Sequence, residues 1–256
     1  MKSMVKAALL GTIIFSVCLF LGFDSAHALP LELNSLEHGA IVTDQFASQG
    51  VMVSVDNPNR WNDAALIFDT HATGTPDPDL EWDGSWATGN IAPDEDLGNL
   101  LIIAENVWDR NHDGLVVRPD DEGNRPAGTF YFDLDDMASE FSFDIVDVEG
   151  DVEEFSVDFY GEGALLGSIG FDDFLLRDGV SFGDNSANRI APITAADLGL
   201  ETLLFDKVAI NMGGSGGITN LDFTSHTPAP PVPEPTTMLL VGTGILAIAA
   251  LRKRRK

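Results

Sequence analysis

The sequence predicts an all-β protein, an antiparallel β-sandwich of jelly-roll type, and three observations carry that expectation. The apolar segments are short and are separated by Gly, Asn and Asp. Several of them alternate strictly: Phe130, Phe132 and Leu134 share one face while Tyr131 and Asp133 share the other. Phe141, Phe143 and Ile145 repeat the pattern, as do Phe155, Val157 and Phe159. No alternation of strand with helix appears, which argues against a doubly wound α/β fold.

In chain order the expected strands are 51–55, 64–68, 99–104, 129–134, 140–148, 153–160, 164–169, 180–182, 203–211 and 218–223. Gly161-Glu162-Gly163 is a tight connection between two of them. The one expected helix is a turn or two at 195–198, with Thr194 as its N-cap. The glycine-rich run from Gly213 to Gly217 reads as a hairpin joining the last two strands.

The chain of 256 residues carries 41 Asp and Glu against 14 Lys and Arg, a net charge of −27. Ordinary nucleic-acid binding is excluded, because it needs a basic face to displace counterions from phosphates. Of the acids, all but Asp24 and Glu234 lie between residues 29 and 231, where only seven cations accompany them, so this stretch carries −32. Such a field keeps an exported protein soluble and concentrates divalent cations. The single cysteine, Cys18, excludes a disulfide framework.

Both ends read as address labels. Residues 1–28 have the form of a secretory signal peptide: Lys2 and Lys6 begin it, an apolar run covers 7–23, and Ala26-His27-Ala28 supplies an A-x-A site for signal peptidase. An acidic ectodomain would then span 29–226 and a Pro-rich linker 227–231. In the last stretch, 232–256, Val232-Pro233-Glu234-Pro235 precedes an apolar run at 236–251 and five cations at 252–256. The sixteen-residue run makes a helix of about 24 Å. That is short of a ~30 Å hydrocarbon core, and long Arg and Lys stems can bridge the gap. The cations would hold this end in the cytoplasm.

These three features in order resemble the PEP-CTERM protein-sorting signal, found on exported proteins of Gram-negative bacteria that make extracellular polysaccharide. The resemblance implies an exosortase-type membrane enzyme as processing partner, with Pro233, Glu234 and Pro235 as the recognition element. Arg252, Lys253, Arg254 and Arg255 would be the basic retention cluster. The middle is similar to an ectodomain recurrent among such proteins, through Phe68-Asp69-Thr70, Asp77-Pro78-Asp79-Leu80, Leu97-Gly98-Asn99 and Gly214-Ser215-Gly216-Gly217, among other pieces. It implies a fold rather than an activity.

Within the middle, Asp109, Asn111, Asp113 and the Leu115 carbonyl, with Asp120 at the twelfth position, follow the spacing of an EF-hand-type calcium loop. Val117 and the short Asp120 depart from it. A second acidic set comprises Asp69, Asp77 and Asp79 with Asp120, Asp121 and Glu122, should the two loops fold side by side. Ca2+ is the expected cofactor. Trp61, Trp82, Trp86 and Trp108 fall in or near long loops, either capping the ends of the sandwich or offering stacking platforms for sugar rings, with Trp82 and Trp86 as the candidate platforms. Gly213-Gly214-Ser215-Gly216-Gly217 satisfies the G-x-S-x-G pattern of hydrolases but is followed by a strand, so no catalytic residue is expected and the chain reads as a non-enzyme. The reading is therefore an exported cell-surface or matrix protein, structural or adhesive. A calcium-assisted carbohydrate-binding module is the alternative, and a polysaccharide-active enzyme a third reading; extracellular polysaccharide is the expected external partner.

Overall fold

A computed structural model describes residues 25–148 and 154–227. Among the described residues there are twelve strands: β1 (Ser25–Pro30), β2 (Ile41–Val42), β3 (Val51–Asp56), β4 (Ala65–Asp69), β5 (Thr88–Gly89) and β6 (Asn99–Ile103), then β7 (Gly128–Val146), β8 (Ser156–Gly161), β9 (Ala164–Gly170), β10 (Ser186–Ile193), β11 (Phe205–Met212) and β12 (Gly217–Thr227). All join one sheet, whose main path runs β2-β4-β6-β12-β7-β11-β8-β9. Every pairing is antiparallel except the short one between β5 and β10.

The long strand β7 organises the rest. Its first half pairs with β3 on one side and β11 on the other, through residues 128–138. Its second half pairs with β12 and β10, through residues 138–146. Met212 pairs with Gly128 and Gly217 with Val146, so a connection of only four residues joins partners of the two ends of β7. Four residues span at most ~17 Å between those partners, whereas a straight strand of this length would span ~60 Å. Therefore β7 folds over, and its exposed Asp135 and Asp136 mark the bend. Sequence patterning predicts two strands here because those acids interrupt the alternation; the strand continues through an irregularity in its pairing with β11, where the Asp135 N–H donates to Gly50 O at 2.8 Å.

Curling brings the phenylalanines of both halves together. Phe141 stacks on Phe223 (4.8 Å between ring centroids) and on Phe143 (5.2 Å), and meets Phe132 and Phe159 at 6.4 Å. A second, smaller core lies on the outer face of β4 and β6, where Leu66, Phe68, Leu100 and Ile102 are covered by Leu80, Trp86 and Leu97 from the long loops.

Several expectations are corrected. Residues 195–198 form a turn, fastened by Asp197 accepting both the backbone N–H and the hydroxyl of Thr194 at 2.8 Å. The helix is instead α1 (Phe171–Arg177), whose Phe171 and Phe174 are buried and whose Asp173 accepts the Gly170 N–H. Residues 180–182 are not a strand, because the Asn188 side-chain amide takes both the N–H and the carbonyl of Ser181. Strand β10 was not expected; Pro192 sits at its irregularity between Ile190 and Ile193. The Gly213–217 run is no hairpin, since β11 and β12 each pair with β7 and not with one another.

Strand β1 pairs with β12 from Ser25↔Thr227 to Pro30↔Asp222, and so contains Ala26-His27-Ala28. A peptidase cut after Ala28 would leave only Leu29 and Pro30 of this strand on β12. The apolar run 236–251 lies outside the described residues, and no helix among the described residues is long and apolar enough to cross a membrane.

Candidate metal centre and adjoining cleft

The end of the sheet near Ala104 gathers the candidate site. Beyond β6 the chain runs beside residues 120–122: the Glu122 N–H donates to Ile103 O (2.9 Å) and the Glu105 N–H to Asp120 O (2.8 Å). The long loop after β4 returns to the same place. Buried Leu80 pins a short 3-10 turn, Pro78–Leu80, and Asp77 stands at its start. The backbone N–H of Asp121 donates to Asp77 Oδ2 at 2.9 Å. As a result one carboxylate oxygen from each of Asp77, Asp120 and Asp121 lies within 4.8 Å of the others. A cleft of about 180 Å3 opens there, lined also by Asp147 and Ser215.

Gly216 completes the support. Its N–H donates to the Asp121 carboxylate, and it adopts φ +133, where a Cβ would stand 2.6 Å from Val146 O. Ser215 Oγ donates to Asp147 Oδ2 at 3.2 Å, and the Asn185 N–H donates to Asp147 Oδ1 at 2.8 Å.

Electrostatics follow from the crowding. Burial pushes the Asp77 carboxyl up to about 7, with repulsion from Asp120 adding to it. Asp121, 5% exposed, is pushed well above the ordinary carboxylate range by burial and then by Asp77. Asp120 is raised by burial as well. Next to them Glu122 behaves oppositely: burial works against its charge, but hydrogen bonds from Asn57, Asn124 and Arg60 hold it below its usual value. All three carboxyls are thus raised, so the site favours their protonated forms more than water does. With no His or Cys among them, the donors suit a hard, oxygen-seeking ion.

Of the second acidic set, the structure thus brings together Asp77, Asp120 and Asp121. Asp69 turns away to His71 (3.2 Å), which also meets Asp96. Asp79 is exposed and contributes its carbonyl to Asn185. Glu122 is taken by Arg60 at 2.9 Å.

The EF-hand-type spacing folds differently. Asp109 accepts the N–H groups of Asp113 (3.2 Å) and Gly114 (3.0 Å), and Asp113 accepts the Leu115 N–H (3.0 Å) and an Asn111 amide hydrogen (2.7 Å). These oxygens face their own loop, which is exposed. Asp120 joins the other cluster, and no acidic cluster among the described residues includes Asp109 or Asp113.

The tryptophans are also redistributed. Trp86 is 2% exposed, its indole N–H donating to Glu95 O, because the apolar outer face of β4 and β6 needs a cover. Trp82 packs partly buried against the same core and edge-on to His71. Neither forms an open platform. Trp61 and Trp108 do, at 85% and 59% exposure, and they line one cleft of about 390 Å3 with Asp120 in its wall. The signal available in the sequence was their lack of an apolar neighbourhood: Asn59-Arg60-Trp61-Asn62 and Asp109-Arg110 beside Trp108 are polar runs.

Comparison with known families accounts for the terminus. The PEP-CTERM protein-sorting motif matches residues 231–255. The chain thus carries a PEP-CTERM sorting signal at this end, and that motif implies an exported, membrane-anchored precursor with an exosortase as its processing partner. Pro233, Glu234, Pro235 and Arg252 to Arg255 fall inside the match and outside the described residues. No curated protein matches the chain.

Proposed function

We propose that this protein serves at the cell surface or in the extracellular matrix as a structural or adhesive component, and that its loop end is fastened by Ca2+ held by Asp77, Asp120 and Asp121. The observation that carries the reading is the convergence of these three carboxylates, from loops 44 residues apart, on one cleft. A divalent ion would tie the 70–98 loop to the 105–122 segment and offset the cost of burying three carboxylates side by side. Its binding would be linked to folding of that end. Extracellular calcium modules work at ~10⁻⁴–10⁻³ M, a range suited to an exported protein.

The reading assigns no catalytic role. Ser215 donates to Asp147 rather than to a histidine, and the residues after it enter β12, so the strand-turn-helix of a hydrolase elbow is missing. The test is protease shaving of intact cells with and without a calcium chelator. The domain should be accessible in both cases, and cleavage within loops 70–98 and 105–122 should accelerate once calcium is removed. Full protection of the domain in intact cells, or cleavage indifferent to the chelator, contradicts the proposal.

A further inference from the structure

We propose that the cleft between Trp61 and Trp108 binds a neutral saccharide, an inference that goes beyond the cation site and stands without it. Large apolar side chains left in water are unusual enough to mark contact surfaces, and tryptophan most of all. The residues and backbone that carry both indoles are held by fixed neighbours. Arg60 is clamped by Glu105 (2.6 Å) and Glu122 (2.9 Å), and the Asn62 amide donates to Ala104 O (3.0 Å) on either side of Trp61. The Trp108 N–H donates to Asn106 Oδ1 (3.2 Å), its carbonyl accepts from Val117 (3.0 Å), and Arg110 sits over its ring at 5.4 Å. Such anchoring lowers the ordering needed on binding. The cleft volume, about 390 Å3, falls within the ~300–1,000 Å3 of small-ligand sites.

The polar groups decide the occupant. Glu105 and Asp120 accept hydrogen bonds; Arg60 and Asn106 donate them. Sugar hydroxyls do both at once, while the C–H face of a pyranose lies flat on an indole. A proline-rich peptide offers mainly carbonyl acceptors and brings few donors to the carboxylate oxygens that Arg60 does not engage. Nucleotides and uronic-acid polymers are repelled by the same carboxylates and by a net charge of −27. A basic peptide would be attracted, but by charge, and so in a salt-dependent way.

The experiment uses full-length protein in lipid nanodiscs with calcium present. Its probes are soluble neutral polymers of glucose, mannose, galactose and xylose, with polylysine and polygalacturonate as comparators. At least one neutral polymer should bind and quench tryptophan fluorescence, equally at ~0.05 M and ~0.5 M salt. Trp61→Ala and Trp108→Ala should each weaken it by about tenfold or more, with melting unchanged because both rings are exposed. Retention by a double Trp61→Ala, Trp108→Ala variant, no binding of any neutral polymer, or binding of polylysine alone that salt abolishes would each overturn the proposal.

Discussion

The backbone N–H of Asp121 donates to Oδ2 of Asp77 at 2.9 Å, joining two loops that are 44 residues apart in sequence. That bond sets Asp77 beside Asp121 and Asp120, three buried or half-buried carboxyls whose charge depends on pH.

Without calcium, stability should fall as pH rises from about 4 to about 7. In that window the folded state keeps Asp77 protonated while the unfolded chain, with its carboxylates near 3.8, has released the proton. The folded state then binds more protons, so raising pH favours unfolding. Asp121 and Asp120 shift in the same direction. Asp77→Asn should remove on the order of 2 kcal/mol of this slope, allowing for the partial exposure of Asp77. Urea unfolding in chelator at pH 5 and pH 8 measures it, and added calcium should stabilise the wild type more at pH 8.

Gly216→Ala should damage both fold and site. A Cβ there meets Val146 O at 2.6 Å and Asp147 O at 3.1 Å, at a φ of +133 that side chains rarely adopt. A loss of ~1–3 kcal/mol is expected, with calcium affinity reduced because the Gly216 N–H no longer meets Asp121. Ser215→Ala should be milder, since it removes one hydrogen bond to Asp147. Thermal melting with and without calcium compares the two.

Phe141→Ala should remove the ring shared by both halves of the curled sheet. Phe141 is fully buried against Phe132, Phe143, Phe159 and Phe223. Truncation should cost about 3–5 kcal/mol, read as a lowered urea midpoint.

For export, Pro233→Ala combined with Glu234→Ala should leave uncut precursor in the membrane fraction. Immunoblotting of fractions from the native host tests this, and unchanged mobility and location of the variant would contradict the role of the motif.

Most strands were legible because their apolar residues alternate, as at Phe130-Phe132-Leu134 and Phe141-Phe143-Ile145, and the phenylalanines and Ile145 of these sets are buried. What alternation cannot convey is continuity: at Asp135 and Asp136 the pattern breaks and the pairing with β11 shifts register, yet the strand β7 runs on. Helix α1 carried a signal in the spacing of Phe171, Phe174 and Leu175, overshadowed by the strand before it. The site shows the same contrast. Linear spacing favours Asp109, Asn111 and Asp113, but short acidic loops satisfy themselves with their own N–H groups. The set Asp77, Asp120 and Asp121 depends on two loops meeting, so the sequence could raise it as a possibility and only the fold selects three of its six members. Trp86 was misplaced for a similar reason, since the apolar face it covers forms only when β4 and β6, on either side of its loop, pair with one another.

Calorimetric titration of Ca2+ into full-length protein at pH 7.5 decides between the two acidic sets most directly. Saturable binding of one ion is predicted, abolished by Asp77→Asn with Asp121→Asn and retained in Asp109→Asn with Asp113→Asn. Absence of any binding, or binding lost only in the Asp109 and Asp113 variant, would contradict a calcium centre at the junction of the two loops.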